Sequence, residues 1–503
     1  MRRERLRLLV PALLALSLSS CGSQDYTDIV FGEDDLVQSS FGGLGVEWGV
    51  YEDTDMLDEN SFKRIYANIK ELAPARIRCM FNYDSFVKDF DDKGDDDKTN
   101  DTWTYDFANK WGDNLFEILR YCQSHGIQVA AGSWNVIGDL RNDVWGMMDE
   151  CTADLRWAKI SADIFDYLIN VSGFTCIRWF VNGNEPNYTG SQGSSKNYNN
   201  TLDKWIAGVK NVRAALDARG LTEVGIIGGD TTGFDGTKEY WTGIANRISD
   251  QVADYGAHFY LSNYYIDGGY VREYADELVA AIRTLDGGCG TSRPLDVWEC
   301  GLLDGKVAST DSNSLIKTVS YGVRMADFTI QTMLSGFNSL TYWSFDDAQN
   351  MMYSGNVSTP KMWGMFSSLS SATSYNQELR PWYHSSCLLT HLFSSGSKIY
   401  GNAANSREID DSFRCIAAVS KDGESGGYCA INRGTEATTR RFLLGPAVEG
   451  SGKLYVYEFG EGLIKLGEDG FVKPNYEIEG SLNKWLSLSV PSNSLVVVSS
   501  EEL

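Results

Sequence analysis

A glutamate set between an amide and a proline, Asn184-Glu185-Pro186, follows the apolar run CIRWFVNG at 176–183. A second glutamate, Glu299, stands near the end of another such run, LDVWECG at 295–301. If both runs are strands finishing on the same side of one fold, the two carboxyl groups face each other. One can then protonate a departing oxygen while the other stabilises or attacks the carbon it leaves, which is the division of labour that cleavage of a glycosidic bond needs. A single glutamate at a strand end is more often a loop residue paired with a nearby cation. The reading therefore rests on the pair.

The elements that would position the pair follow from hydrophobic periodicity. Short β-branched or apolar runs alternate with longer amphipathic segments. The runs are GLGVEW (43–48), ARIRCMF (75–81), IQVAAGSW (127–134), CIRWFVNG, EVGIIGGD (223–230), DYGAHFY (254–260), LDVWECG and SLTYWSF (339–345). Between them lie helical patterns such as SFKRIYANIKELA and NLFEILRYCQSHG, the latter closing on a glycine where a helix stop is expected. Eight such βα repeats predict an α/β fold, a closed (β/α)₈ TIM barrel over 41–395, whose catalytic groups sit at the C-terminal ends of the strands. An open doubly wound sheet is the alternative, but no GxGxxG follows the first run. Glu185 and Glu299 then belong to the fourth and seventh strands and meet across the mouth. His258 and Tyr260, two positions apart on the sixth run, share one face.

Beyond the barrel the texture changes to short alternating strands with Gly, Asn and Asp turns, which predicts an all-β sandwich over 396–503. At the other end, four arginines precede an apolar run in residues 1–20, a pattern of export signals, and LSSC places Cys21 where a lipid-modified cysteine would stand. Residues 21–40 are then a lipidated tether, in which 26–32 either adds an edge strand to the sandwich or stays a loose linker. The expected location is that of a bacterial lipoprotein, periplasmic or at the cell surface, held to the membrane through lipid alone. The acidic stretch 84–101 fails the calcium-loop pattern, because Lys93 occupies a ligand position and no glutamate closes it, and reads as a solvated insertion.

A formal charge of -24 makes nucleic acid a poor partner and leaves a neutral substrate indifferent. The 503 residues, 43% hydrophobic, suffice for a large core and exceed one average domain. Ten cysteines show no CxxC pair, and several lie inside apolar runs, so most are expected to be free thiols. With only four histidines, zinc is not expected, and no cofactor is implied.

With these residues in place the chain resembles the clan A glycoside hydrolases, retaining (β/α)₈ enzymes. Their acid/base glutamate follows an asparagine at the fourth strand and their nucleophile ends the seventh. The tail LSLSVPSNSLVVVSS is similar to the β-sandwich of several of these families. The β-xylosidase and α-L-iduronidase type, the endo-glucanase and mannanase type, and the glucosylceramidase or xylanase type stay unseparated. NGNEP in place of WNEP, and VWEC where many members read TE, are departures from the pattern. The resemblance implies Glu185 as general acid/base and Glu299 as nucleophile, acting by double displacement on a β-linked poly- or oligosaccharide. Burial and the charge of Glu299 are expected to keep Glu185 protonated. It further implies Asn184 as the partner of the sugar 2-hydroxyl, Arg78 as the cation holding the nucleophile ionised, and His258 and Tyr260 as its orienting groups. Trp343 would be a stacking platform, with Trp134 and Asn135 serving the same site. The alternative is a glycan-binding lipoprotein that kept the barrel without its chemistry. An esterase or metal-dependent barrel hydrolase lacks its GxSxG elbow or histidine set here.

Overall fold

The computed structural model describes residues 28–91, 101–134, 152–188, 201–283, 285, 293–354, 357–402, 405, 407, 410–448 and 452–503. A parallel sheet forms its centre. Its strands are Gly43–Glu47, Arg76–Phe81, Gln128–Ser133, Ile177–Val181, the short pair Gly225–Ile226 and Thr231–Thr232, then Tyr255–Leu261, Leu295–Leu302 and Ser339–Tyr342. Apart from Gly225–Ile226 and Thr231–Thr232, which do not pair with each other, successive strands pair in parallel, and Ser339–Tyr342 returns to pair with Gly43–Glu47. Helices Glu59–Leu72, Lys110–His125, Leu155–Asp166, Leu202–Asp217, Phe234–Arg247, Tyr270–Arg283, Val319–Leu334 and Pro381–Leu392 follow the eight strand positions in turn. The architecture is a (β/α)₈ barrel with a β-sandwich behind it.

The fifth strand departs from the sequence reading. EVGIIGGD was expected to run straight, yet it is split: Gly225–Ile226 pairs with the fourth strand and Thr231–Thr232 with the sixth. The turn between them closes the barrel, with Ile227 N–H donating to Phe180 O at 3.0 Å and Gly256 N–H to Gly228 O at 2.8 Å. A Cβ on Gly228 would stand 2.0 Å from the Asp254 carbonyl, so the close approach requires glycine. The run then ends on Asp230 with φ 53°, a left-handed conformation that costs a side-chain-bearing residue energy and often marks a functional position.

Local sequence accounts for the helices. Asp58, Asn109, Asp154, Thr201 and Thr318 each accept a hydrogen bond from a backbone N–H of the turn they open, satisfying donors that the helix cannot. Gly126, at φ 70°, ends Lys110–His125. The strands alternate in the expected way. Ile77, Cys79 and Phe81 face the helices and join the main core, whereas Met80 belongs to a small cluster inside the barrel with Ala130, Val181, Ile227 and Trp298. The cysteines among the described residues are unpaired. Also among the described residues, no helix is long and apolar enough to cross a membrane.

The sandwich has a seven-stranded sheet, in the order Leu36–Gln38, Lys398–Tyr400, Phe413–Val419, Gly426–Asn432, Ser494–Ser499, Lys453–Phe459 and Tyr476–Glu479. Its three-stranded partner contains Asp28–Phe31, Thr438–Leu444 and Leu486–Val490, with Asp28–Phe31 lying parallel to Thr438–Leu444. Phe413–Val419 is buried on both faces. Phe413, Cys415, Ala417 and Val419 point into the sandwich core, and Ile416 and Ala418 join the barrel's core. One face of this sheet therefore belongs to the barrel's core, and the other closes a separate sandwich core.

Charge also ties them together. Asp327 of the helix Val319–Leu334 is fully buried and meets Arg414 Nε of the sandwich at 3.1 Å, with Arg433 Nε at 3.9 Å. Arg414→Ala would leave a carboxylate buried with one remaining distant cation. We expect a loss of about 3–5 kcal/mol in reversible chemical denaturation. A loss below about 1 kcal/mol would show that the pair contributes little.

Candidate active site

The second strand carries Arg78 in its middle, three residues before its end, with the guanidinium buried inside the barrel mouth. Nη1 lies 2.7 Å from Glu299 Oε1 and 3.3 Å from Glu47 Oε2. Nη2 lies 2.9 Å from Asp230 Oδ2 and 2.7 Å from Asn184 Oδ1. One planar cation thus reaches four side chains drawn from other strands or their ends, using the fork geometry that an ammonium cannot supply.

Glu299 reaches this position through an irregularity. It was expected at the end of the seventh strand, but the strand continues to Leu302 and bulges. Val297 pairs with Leu340 and Cys300 with Tyr342, so two residues, Trp298 and Glu299, oppose one. A bulge re-aims side chains. Here it puts both Trp298 and Glu299 inside the barrel while Cys300 faces the helices. Trp298 is anchored beneath by donating Nε1–H to Asp254 Oδ2 at 2.7 Å. Glu299 is held above by Arg78 on Oε1 and by the Tyr260 hydroxyl, 2.8 Å from Oε2.

Glu185 arrives differently. Sequence reasoning had the fourth strand persist as far as this residue, but the strand stops at Val181 and the chain bends through Gly183, at φ 87°. Glu185 itself has φ 43°, and its N–H donates to Asp230 O at 3.1 Å. Proline at 186 disfavours a right-handed helical Glu185, which is compatible with this turn as well as with the extended chain first expected. The side chain was also expected to be buried. It keeps 23% of its exposure, against 7% for Glu299.

His258 joins the two glutamates. Nδ1 is 3.1 Å from Glu185 Oε1 and 3.5 Å from Glu299 Oε2, and Nε2 is 2.8 Å from Asp230 Oδ1. Burial opposes a charge on the ring, but the Glu299 and Asp230 carboxylates push its pKa up to about 10. Burial also pushes Glu47 up, to about 8 against the pull of Arg78, so this carboxyl is a neutral acid at neutral pH. Asp230 is equally buried, yet Arg78 and His258 together hold it below the usual carboxylate range. Burial raises Glu299 above that range, with His258 and Arg78 pulling against the shift. Burial and the neighbouring Glu299 keep the Tyr260 hydroxyl protonated as a donor.

Glu185, His258 and Glu299 each bring one atom within 4.8 Å of the others, a spacing a metal ion could bridge. The ring does not suit one. Both its nitrogens face carboxylate oxygens and its charge is favoured, and an imidazolium has no lone pair to give.

Trp134 and Trp343 stand edge to face at 5.6 Å, half-buried at the mouth, with Arg78 5.5 Å from the Trp134 ring. The structure thus brings together Glu185, Glu299, Asn184, Arg78, His258, Tyr260, Trp134 and Trp343. Asn135 and Cys21 lie outside the described residues. Sequence reasoning missed Glu47 and Asp230. Both end or nearly end runs already marked as strands, GLGVEW and EVGIIGGD, and that placement was the available signal.

No family model matches the sequence, and no curated protein matches it. Solved structures do match. A family 30 endoxylanase from Clostridium papyrosolvens is 14% identical, with TM-score 0.61 over 94% of this chain and 99% of that one. A family 51 α-L-arabinofuranosidase from Thermotoga petrophila is 13% identical, with TM-score 0.59 over 94% and 100%. A β-xylosidase from Caulobacter crescentus is 13% identical, with TM-score 0.57 over 94% and 98%. The chain has the fold of clan A glycoside hydrolases. At these identities the likeness is one of fold, and it spans barrel and sandwich alike.

The His258 environment has a measurable consequence. The folded pKa lies above the unfolded value of 6.5, so the contribution of this group to stability is fully present below pH 6.5 and is lost as pH rises towards about 10. In NMR of ring-labelled protein we expect His258 still doubly protonated at pH 8. A neutral ring at that pH would contradict the charge arrangement described.

Proposed function

We propose that the protein is a retaining glycoside hydrolase with Glu185 as acid/base and Glu299 as nucleophile. The observation that carries this reading is the approach of the two glutamates to within 4.8 Å, at an open mouth lined by indole rings. Retaining enzymes keep their carboxyl groups about 5–5.5 Å apart, whereas inverting ones leave about 6.5–9.5 Å for a water between them.

In the first step Glu185 donates its proton to the glycosidic oxygen. The bond from that oxygen to the anomeric carbon breaks, and a Glu299 oxygen bonds to the carbon from the opposite face. The leaving alcohol departs, and Glu185 is left as a carboxylate. In the second step Glu185 takes a proton from water, the water oxygen bonds to the anomeric carbon, and the ester to Glu299 breaks. Two inversions return the original configuration. Arg78 and Tyr260 fix both oxygens of Glu299, so the nucleophile needs no reorientation as charge develops. Arg78 also fixes Asn184 by its Oδ1, which turns the amide NH₂ the other way, an orientation suited to a sugar 2-hydroxyl. Trp343 offers a face on which the apolar side of a sugar ring can stack.

Export and lipidation at Cys21 form part of the same proposal, on the strength of the leader sequence alone. Cys21→Ala should move the protein from the membrane pellet to the soluble fraction, and unchanged pelleting would contradict an acyl anchor.

Catalysis is tested on a panel of aryl glycosides. Glu299→Gln should reduce turnover to background while circular dichroism stays unchanged. Glu185→Ala should lose about 10²–10⁴-fold on glycosides with poor leaving groups, and far less on dinitrophenyl glycosides, whose leaving group needs no proton. Equal losses on both kinds would remove Glu185 from the acid role. A folded wild-type chain that binds glycans and cleaves none of them would favour the binding-protein alternative.

A further inference from the structure

The segment between the eighth strand and the helix Pro381–Leu392 is far longer than a barrel needs. It forms a hairpin, Met351–Ser354 with Val357–Pro360, and then an irregular run to Arg380. Together with the loop after the seventh strand it lines a half-open cavity of about 650 Å³, within the roughly 300–1,000 Å³ typical of small-molecule sites. None of the catalytic residues lines it. We propose that this cavity is a second binding site, for a neutral saccharide. The inference goes beyond the hydrolase reading and does not require turnover.

The walls are built rather than accidental. Asn313 N–H donates to Met362 O at 2.9 Å, stitching the two loops together. At one side Arg380 binds Asp347, with Nη1 to Oδ1 at 2.9 Å, and Asp347 Oδ1 accepts the Gly364 N–H at 2.7 Å. Both side chains are more than nine-tenths buried. The hydroxyl of Ser367, a lining residue that is 1% exposed, finds no hydrogen-bond partner among the described residues. A buried hydroxyl without a partner costs stability unless a ligand or water completes it.

The lining chemistry selects the ligand. Thr310 and Ser312, whose hydroxyls bond each other at 2.7 Å, and Asn376, whose amide bonds Glu378, make its polar side, while Pro360, Leu379 and the Tyr375 ring offer apolar surface. That mixture suits a sugar, which carries hydroxyls at its edge and C–H groups on its faces. The charges cancel: Lys317 is matched by Glu378, and Arg380 by Asp347. No net field favours an ion, which distinguishes this cavity from a phosphate or carboxylate site.

Its position relates it to the catalytic mouth. Trp363, next to the lining residue Met362, is buried against the Tyr260 ring at 6.0 Å and donates Nε1–H to Asp311 O at 2.8 Å. The chain that lines the cavity thus continues directly into the indole packed on the tyrosine that holds Glu299. The saccharide can be a distal part of the substrate chain or a separate molecule, and the test below divides these sources.

Calorimetric titration of Glu299→Gln protein with cellobiose, xylobiose, mannobiose and gentiobiose should show two classes of site for at least one of them. Adding Thr359→Arg, or Thr310→Arg from the opposite loop, puts bulk and charge at the rim from exposed positions. Either should weaken one class at least tenfold and leave the other unchanged. In the otherwise wild-type chain, neither substitution should alter aryl glycoside kinetics. A severalfold fall in polysaccharide kcat/KM would identify the distal part of the substrate as the occupant. Unchanged polysaccharide kinetics with the class still weakened would identify a separate saccharide. A single class of site, identical in all three proteins for every disaccharide, would overturn the proposal. That outcome leaves the hydrolase reading to be judged separately by the activity of Glu299→Gln.

Discussion

Everything at the mouth of this barrel depends on one buried guanidinium. Arg78 is surrounded by Glu47, Asp230 and Glu299 and by the amide of Asn184, in a place where water cannot help to solvate it. A buried cation of this kind persists only when its donors are matched, and the carboxylates persist only because it is there. Counting charges shows why a second cation is required. Arg78 and His258 face four carboxyl groups, and Glu47 relieves the excess by holding its proton up to about pH 8. With Glu47 neutral, the ionised Asp230 balances one of the two cations, and Glu299 faces both. In the proposed reaction Glu185 would exchange its proton with the glycosidic oxygen and with water, and Glu299 would bond to the anomeric carbon.

The fold supplies the positions, and its irregularities supply the aim. A regular strand would turn Glu299 or Trp298 outward, and the bulge at 298–299 turns both in. A regular fifth strand would not deliver Asp230 to Arg78 and His258, and the glycine turn before it does. Glu185 leaves the fourth strand through a left-handed bend that brings its backbone against Asp230. Three departures from ideal geometry thus converge on one cluster, as expected when local strain is held in place by the packing around it. The sandwich contributes from behind, where its sheet and the barrel helices bury one common core with the Asp327–Arg414 pair inside it.

The barrel was legible in the sequence because βα alternation is a long, repeated signal, and the glutamate pair was legible because both members closed such runs. The sandwich showed itself in the change to short alternating strands. What stayed hidden was local. Periodicity cannot announce a bulge, so Glu299 was assigned to a strand end when it lies inside a longer strand. EVGIIGGD carried its own warning in Gly228 and Gly229, since paired glycines mark a sharp turn as readily as a strand. Glu47 and Asp230 were passed over because a carboxylate gains meaning from its partners, and Arg78 could be identified as a shared partner only once four strands were brought together. The long segment after the eighth strand lines a cavity, which no periodicity of its sequence could announce.

The central claim is that Glu299 forms a covalent bond to the sugar. It is tested most directly by mass spectrometry of the wild-type chain after incubation with 2-deoxy-2-fluoro dinitrophenyl glycosides. Fluorine slows both steps, and the good leaving group lets the first outrun the second. The account predicts a single added glycosyl group, mapped by peptide fragmentation to Glu299. A cleaved substrate with no adduct, or an adduct on any other residue, would contradict it.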